Sequence, residues 1–501
     1  MSIDRQILKD LVADKTRLIF NTDIPKEYLS DALGRRKGTA DALIFPLSTE
    51  EISDVLRYAC ENRIPVTPRG AGTNLVASTV PVKGGIILDF SRMNRVLELD
   101  EDSMTLTVEP GILLQDVQTY VEARGFFYPP DPGEKASSIG GNISTNAGGM
   151  RAVKYGVTRD YVRGLEVVLA DGTILRLGGK QVKDASGLSL KHLLIGSEGT
   201  LGLISKCMLR LLPKPETSVS VLVPYPDLNT GLRSVLRILR ANANPTAVEF
   251  MERKVVALGE DFSGLRYPRP DAGSYILLTF DGYRSEVESN TARVRGLALE
   301  NGALDYIVLA DPAQAAEIWK VRGALVKAVE AVSEQEPVDI VVPISHTVDF
   351  IRFINDLEVS SGMQMISFGH AGDGNVHLCV VRGERDEDRW RRELHANMDS
   401  AYAKAYSLGG VASGEHGIGL SKRRYFLRET AAENLAVMNE IKDALDPLHI
   451  LNDQKSYIEG GKDHAESFRS HCRLYGFRYS QDDASFPSIW RRQSVSGLSG
   501  F

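Results

Sequence analysis

A glycine-rich turn set between two apolar runs fixes one piece of this chain at once. Met363 to Phe368 and Leu378 to Val381 are largely apolar, and Ala371-Gly372-Asp373-Gly374-Asn375 between them is strong turn chemistry. The segment Phe368-Gly369-His370-Ala371-Gly372-Asp373-Gly374-Asn375-Val376-His377 therefore reads as strand, turn, strand. Such a hairpin would set His370 and His377 across from each other at its open end. Further on comes Ser413-Gly414-Glu415-His416-Gly417-Ile418-Gly419. A lone histidine beside a glycine is usually structural. Here three of the nine histidines and a glutamate fall in the two segments, which is most of what a divalent-metal site with an adjacent base requires.

At 501 residues the chain has room for two or three domains with substantial cores. A net charge of −7 provides no basic field for nucleic acid, so no nucleic-acid partner is expected. The first residues, Met1-Ser2-Ile3-Asp4-Arg5-Gln6, lack the apolar core of a signal peptide, and no apolar run is long enough for a transmembrane segment. A cytoplasmic protein, at most peripheral to a membrane, is the expectation. The four cysteines (Cys60, Cys207, Cys379, Cys472) form no CxxC pair, which argues against an iron–sulfur cluster in this chain or a disulfide framework.

Residues 1–38 read as a polar, helical lead-in. From there short strands alternate with helices: Ala42 to Pro46 as strand, Thr49 to Asn62 as a helix capped by Thr49, and Ile64 to Pro68 as strand. The loop Arg69-Gly70-Ala71-Gly72-Thr73-Asn74 follows, and its glycines let backbone N–H groups approach a phosphate. A Rossmann fingerprint fails here, because Leu75 holds the third glycine position and the next residues are extended rather than helical. A second cluster, Pro129 to Gly149, mixes glycines with small hydroxyl and amide residues, as a loop wrapping an extended polar ligand would. Ile195-Gly196-Ser197-Glu198-Gly199-Thr200-Leu201-Gly202-Leu203-Ile204 makes a third. Three such clusters in one αβ region point to a large cofactor.

These segments resemble the FAD-binding domain of the vanillyl-alcohol-oxidase (p-cresol methylhydroxylase) type. With Gly-His-Ala-Gly-Asp-Gly-Asn-Val-His (369 to 377) and Gly-Glu-His-Gly-Ile-Gly (414 to 419), the chain resembles the FAD-linked D-2-hydroxyacid dehydrogenases: D-lactate, glycolate and D-2-hydroxyglutarate dehydrogenases. The resemblance covers residues 40 to 456, including the closing segment Leu445 to Asn452, where His449 replaces a common glycine. It implies an α+β fold: a two-subdomain FAD-binding domain over 39–217 and a substrate (cap) domain with an antiparallel sheet over 218–412. A segment over 413–460 would carry an active-site loop back to the flavin domain; residues 461–501 lie outside the resemblance and are expected to be a poorly ordered tail, or a surface that docks a partner or membrane.

The resemblance further implies that FAD contacts Pro68, Arg69, Gly70, Ala71, Gly72, Thr73, Asn74, Pro132, Glu134, Ser138, Ile139, Gly141, Asn142, Thr145, Asn146, Gly148, Gly149, Tyr155, Gly156, Glu198, Gly199, Ile204 and Asn452. With no histidine before His192, non-covalent FAD is expected. His370, His377 and Glu415 would hold a divalent metal, with zinc favoured and iron or manganese open. His416 would be the general base, since its ordinary pKa of about 6.5 suits proton transfer. Arg322 matches a family arginine that clamps the substrate carboxylate. Asn375 would either hydrogen-bond substrate or a ligand, or simply form the turn. Gln335 to Pro343 lacks the lysine that holds a second carboxylate in the hydroxyglutarate enzymes, favouring a small monocarboxylate, D-lactate ahead of glycolate. Electrons would leave to an electron-transferring flavoprotein, an iron–sulfur subunit, a cytochrome or a quinone, with a homodimer or hetero-complex as the assembly. A relay flavin subunit without its own catalysis, or a non-redox transferase sharing the flavin domain, are the alternatives; neither needs the histidine cluster.

Overall fold

The computed structural model describes residues 3–12 and 14–457, and the expected tail lies outside them. The first half builds two small sheets. One has the order Leu18–Phe20, Ala42–Ile44, Ile86–Asp89, Val66–Arg69, parallel except for its first strand. The other is antiparallel, in the order Val96–Asp100, Thr105–Val108, Leu203–Arg210, Val162–Val168, Ile174–Gly178. The lead-in is thus more than helical: its strand Leu18–Phe20 joins the first sheet, and Leu8 and Val12 sit in that core. The helix Thr49–Glu61 is capped by Ser48, which accepts from Glu51 N–H; the Thr49 hydroxyl instead donates to Glu166. No helix follows Asn74, as the failed Rossmann pattern requires. Within the second glycine cluster a short helix, Ile139–Thr145, stands where a loop was expected, capped by Ser138.

The second half is one seven-stranded antiparallel sheet. Its order is Ile307–Leu309, Thr217–Tyr225, Ser274–Gly282, Ala247–Glu252, Met365–His370, Asn375–Val381, Gln335–Val341. Successive side chains on a strand point to opposite faces, and here both faces are apolar. Val221, Val223, Ile276, Leu278 and Phe280 enter one core, covered by helices such as Leu228–Arg240 and Thr347–Ser361. Leu222, Tyr275, Leu277, Ile366 and Phe368 enter the other, covered by Arg253–Ser263 and Pro312–Val332. Each fully buried residue of this kind contributes about 1.5–3 kcal/mol, so both faces need a cover. The helix Pro312–Val332 starts at a proline preceded by the capping Asp311, and turns Ile318, Val321, Leu325 and Val329 to the core.

The chain then returns. Val66 N–H donates to Ile450 and Asn452 N–H donates to Val66, so residues 450–452 run beside the strand Val66–Arg69. His449 adopts a left-handed φ of +52°, with Nε2 2.6 Å from Asp443; the side-chain tie accompanies a conformation glycine would adopt freely.

Candidate active site

A cluster of polar residues interrupts the apolar face under the helix Pro312–Val332. Glu249 pairs with His370 across neighbouring strands, and His377 pairs with Asp339 across the next two. The hairpin register sets His370 opposite Asn375 and Phe368 opposite His377, so the histidines are diagonal neighbours on one face. They stand at the turn end rather than the open end. Gly374 takes φ +82° there, and a Cβ on it would lie 2.0 Å from Val342 O, so only glycine closes this turn.

The ring nitrogens meet. His370 Nε2 and His377 Nε2 are 3.2 Å apart, and Glu415 Oε1 lies 3.5 Å from the latter and 3.9 Å from the former. Among the described residues these three are the group of His, Cys, Asp or Glu able to converge on an ion, all within 4.8 Å of one another. Nitrogens 3.2 Å apart suit two ligand atoms each about 2.1 Å from one ion. Glu415 Oε2 is buried without a partner. His370 Nδ1 is 2.6 Å from Glu249 Oε1, and Arg322 Nε donates to Glu249 Oε2 at 2.9 Å. That carboxylate fixes the ring so that Nε2 faces the site. The donor set therefore fits a divalent metal.

Burial opposes charge on every member; neighbours override it at His370 and Glu415 but not at His377 and His416. Burial resists protonation of His370, but the Glu249 carboxylate raises its pKa well above the ordinary value. Burial and the nearby His370 push His377 down to about 3, leaving its ring neutral. Burial would raise Glu415, yet the His370 contact overrides it and brings it to about 2. A neutral imidazole and an anionic carboxylate are the ligand forms, so His377 and Glu415 already present them, whereas a metal would have to displace a proton from His370. His416 stacks on His377 with centroids 5.9 Å apart and planes 15° apart, and its Nε2 is 4.0 Å from Glu415 Oε1. Burial, opposed by Asp339, lowers its pKa.

The loop bearing Glu415 and His416 is pinned at two places. Asp339 Oδ2 accepts from the N–H groups of Gly414, Glu415 and His416. Glu198 accepts from the N–H groups of Ile418 and Gly419 and from Ser456. The two consecutive residues both reach the cavity.

That cavity, of about 900 Å3, runs from the histidines to the glycine clusters. All of Pro68 to Asn74 line it, as do Pro132, Glu134, Ser138, Gly141, Asn142, Thr145, Glu198, Gly199, Ile204 and Asn452. Ile139, Asn146, Gly148, Gly149, Tyr155 and Gly156 stand off the wall; the Tyr155 hydroxyl donates to Asp281. The wall is cut close. A Cβ on Gly70 would lie 2.1 Å from Ser138 Oγ, and one on Gly199, at φ +72°, would lie 2.5 Å from Pro68 Cγ. Thr79 Oγ1 and Ser137 Oγ are buried on this wall without partners. Bare backbone plus unsatisfied hydroxyls fit a large polar cofactor.

Arg322 lines the cavity from the helix side, with its guanidinium over the Phe368 ring. Asn375 does not line it: its Nδ2 donates to Asp339 Oδ1 at 2.6 Å. Glu249 and Asp339 escaped the reading of the sequence. Their signal was there, as single acids inside Ala247-Val248-Glu249-Phe250-Met251 and Val338-Asp339-Ile340, where an unpaired charge would be costly.

Residues 40–178 match the family model described as FAD binding domain, and 214–456 match FAD linked oxidases, C-terminal domain. A D-lactate dehydrogenase of Anaerostipes hadrus is 39% identical over 88% of this chain and 94% of its own length. The glycolate oxidase subunit GlcD of Bacillus subtilis is 38% identical over 87% and 93%. The solved structure of p-cresol methylhydroxylase with substrate bound shares the fold, with a TM-score of 0.74 at 15% identity, over 91% of this chain and 96% of that one. No helix among the described residues is long and apolar enough to cross a membrane. Fold, cavity and kinship agree: the chain belongs to the FAD-linked D-2-hydroxyacid dehydrogenase family, with a flavin domain of the vanillyl-alcohol-oxidase type.

Proposed function

We propose that this protein oxidises a small D-2-hydroxy acid, D-lactate first and glycolate next, to the 2-oxo acid with metal assistance, and passes the electrons to a partner. The observation that carries the reading is a single cavity with the glycine-cut wall on one side and the histidine–glutamate cluster on the other. Bound there, FAD supplies the hydride acceptor and a metal such as zinc supplies Lewis acidity toward the substrate hydroxyl.

The chain's own residues do the rest. His370, His377 and Glu415 present one ligand atom each. Arg322 holds the substrate carboxylate, and its bond to Glu249 keeps the guanidinium in place. His416 takes the hydroxyl proton; its burial favours the neutral form that a base must start from. Apart from the exposed Lys327 and Glu330, the wall near Arg322 carries Val326, Pro337, Phe368 and Cys379, which suits an apolar substrate tail better than a second carboxylate. The flavin is held without a covalent bond.

Dichlorophenolindophenol reduction with D-lactate, L-lactate, glycolate and D-2-hydroxyglutarate, before and after EDTA, tests this. D-lactate activity lost on chelation and restored by zinc is expected; activity indifferent to chelation would refute the metal's part. Acid precipitation should release the yellow chromophore, and flavin retained in the pellet would disprove non-covalent binding.

A further inference from the structure

On an extended strand, consecutive side chains leave on opposite sides, yet Glu415 and His416 both enter the cavity. The chain achieves this by curling around one oxygen. Asp339 Oδ2 accepts the N–H groups of Gly414, Glu415 and His416 at 3.0, 3.1 and 3.1 Å and the Ser413 hydroxyl at 2.8 Å. Lys422 Nζ adds a bond at 3.2 Å. Successive N–H groups converging on an anion form a nest, a concavity that elsewhere binds phosphates. Here the anion is a side chain of the protein, fully buried.

We infer that Asp339 is a positioning residue for the reaction: its carboxylate curls residues 413–416 so that Glu415 reaches the metal and His416 the substrate. The inference rests on the proposed reading of the site. Asp339 also stands opposite His377 in the strand register, so the carboxylate that holds the loop lies beside the hairpin ligand. All its hydrogen-bonding neighbours are donors, Asn375 Nδ2 on Oδ1 and the loop with Lys422 on Oδ2, which an ionised carboxylate alone satisfies on both sides. Asn375 Oδ1 is buried without a partner. In Asp339→Asn the Asn375 amide can turn over and accept from the new amide, leaving an oxygen for the loop. Asp339→Ala has no such remedy.

The test measures zinc affinity by chelator competition, flavin absorbance, and kcat and KM for dye reduction in both variants. Asp339→Ala is expected to lose about 10–100-fold in zinc affinity and a similar factor in kcat, with a smaller change in KM. Asp339→Asn should lose less in each, and flavin absorbance should stay unchanged in both. Folded Asp339→Ala with wild-type zinc affinity and kcat would overturn the inference while leaving the metal-and-base reading standing. A wild type that neither binds zinc nor reduces the dye would sink both. Should Asp339→Ala fail to fold, Asp339→Leu with Lys422→Met removes the buried charges together; the same zinc loss supports the inference and unaltered affinity overturns it.

Discussion

The two walls of the cavity are built by opposite means. The glycine wall, where the proposed function seats the flavin, is made by leaving atoms out, with glycines at 70 and 199 where a single methyl would strike Ser138 or Pro68. The histidine wall is made by putting charges in and matching each with another: Glu249 with His370 and Arg322, Asp339 with Lys422. One wall should fail when atoms are added, the other when they are removed.

The largest effect is expected from addition. Gly70→Val should purify with little or no flavin and have no dye-reducing activity, read as the ratio of flavin to protein absorbance; a full complement of flavin would contradict the close-cut wall. Removal on the other side should spare the flavin. His416→Ala should keep flavin and zinc and lose about 10²–10⁴-fold in kcat, the usual contribution of a general base. A smaller loss follows one layer back: Glu249→Gln should weaken zinc binding by about 10–100-fold, since the carboxylate behind His370 sets the ring.

The smallest effect lies away from both walls. Burial would raise the Glu166 pKa, but Lys206, Thr49 and Arg176 override it and hold the group at about 2. Its folded pKa is below its unfolded one, so its stabilisation is present above about pH 4.5 and is lost as pH falls toward about 2. Because the site is partly screened by solvent, about 1 kcal/mol is at stake. Glu166→Gln should flatten the acid limb of stability in denaturant titrations without changing turnover at neutral pH. An acid limb identical to wild type would show that the cluster is already balanced in the unfolded chain.

The two walls also differed in how far the sequence exposed them. Glycines announce a backbone that must come close to something, so the loops that line the cavity and the hairpin turn were legible. His370, His377, Glu415 and His416 were legible as residue types, though their order in space was not. The diagonal placement of the histidines comes from a register in which His370 faces Asn375, and register is set by pairing along the sheet rather than by spacing alone. The helix Ile139–Thr145 was hidden by its glycines, which are poor helix formers in isolation; the Ser138 cap and burial of Ile139 and Ile143 accompany it. Glu249 and Asp339 were missed because each acid's partners lie far along the chain: Arg322 and His370 for one, Lys422 and the loop at 414 for the other.

The return of residues 450–452 to the strand Val66–Arg69 has a consequence for biogenesis. A ribosome delivers the first strands of the flavin domain long before the piece that flanks them, and the loop with Glu415 and His416 also appears late. Until then the edge of that sheet is bare, with backbone groups open to wrong partners. Completion of the nucleotide-binding half must wait for nearly the whole described chain, a long-range closure of the kind that slows folding. A nascent chain released at residue 412 would carry both histidines of the hairpin and every glycine of the flavin wall, and still present an unfinished sheet to the cell's chaperones.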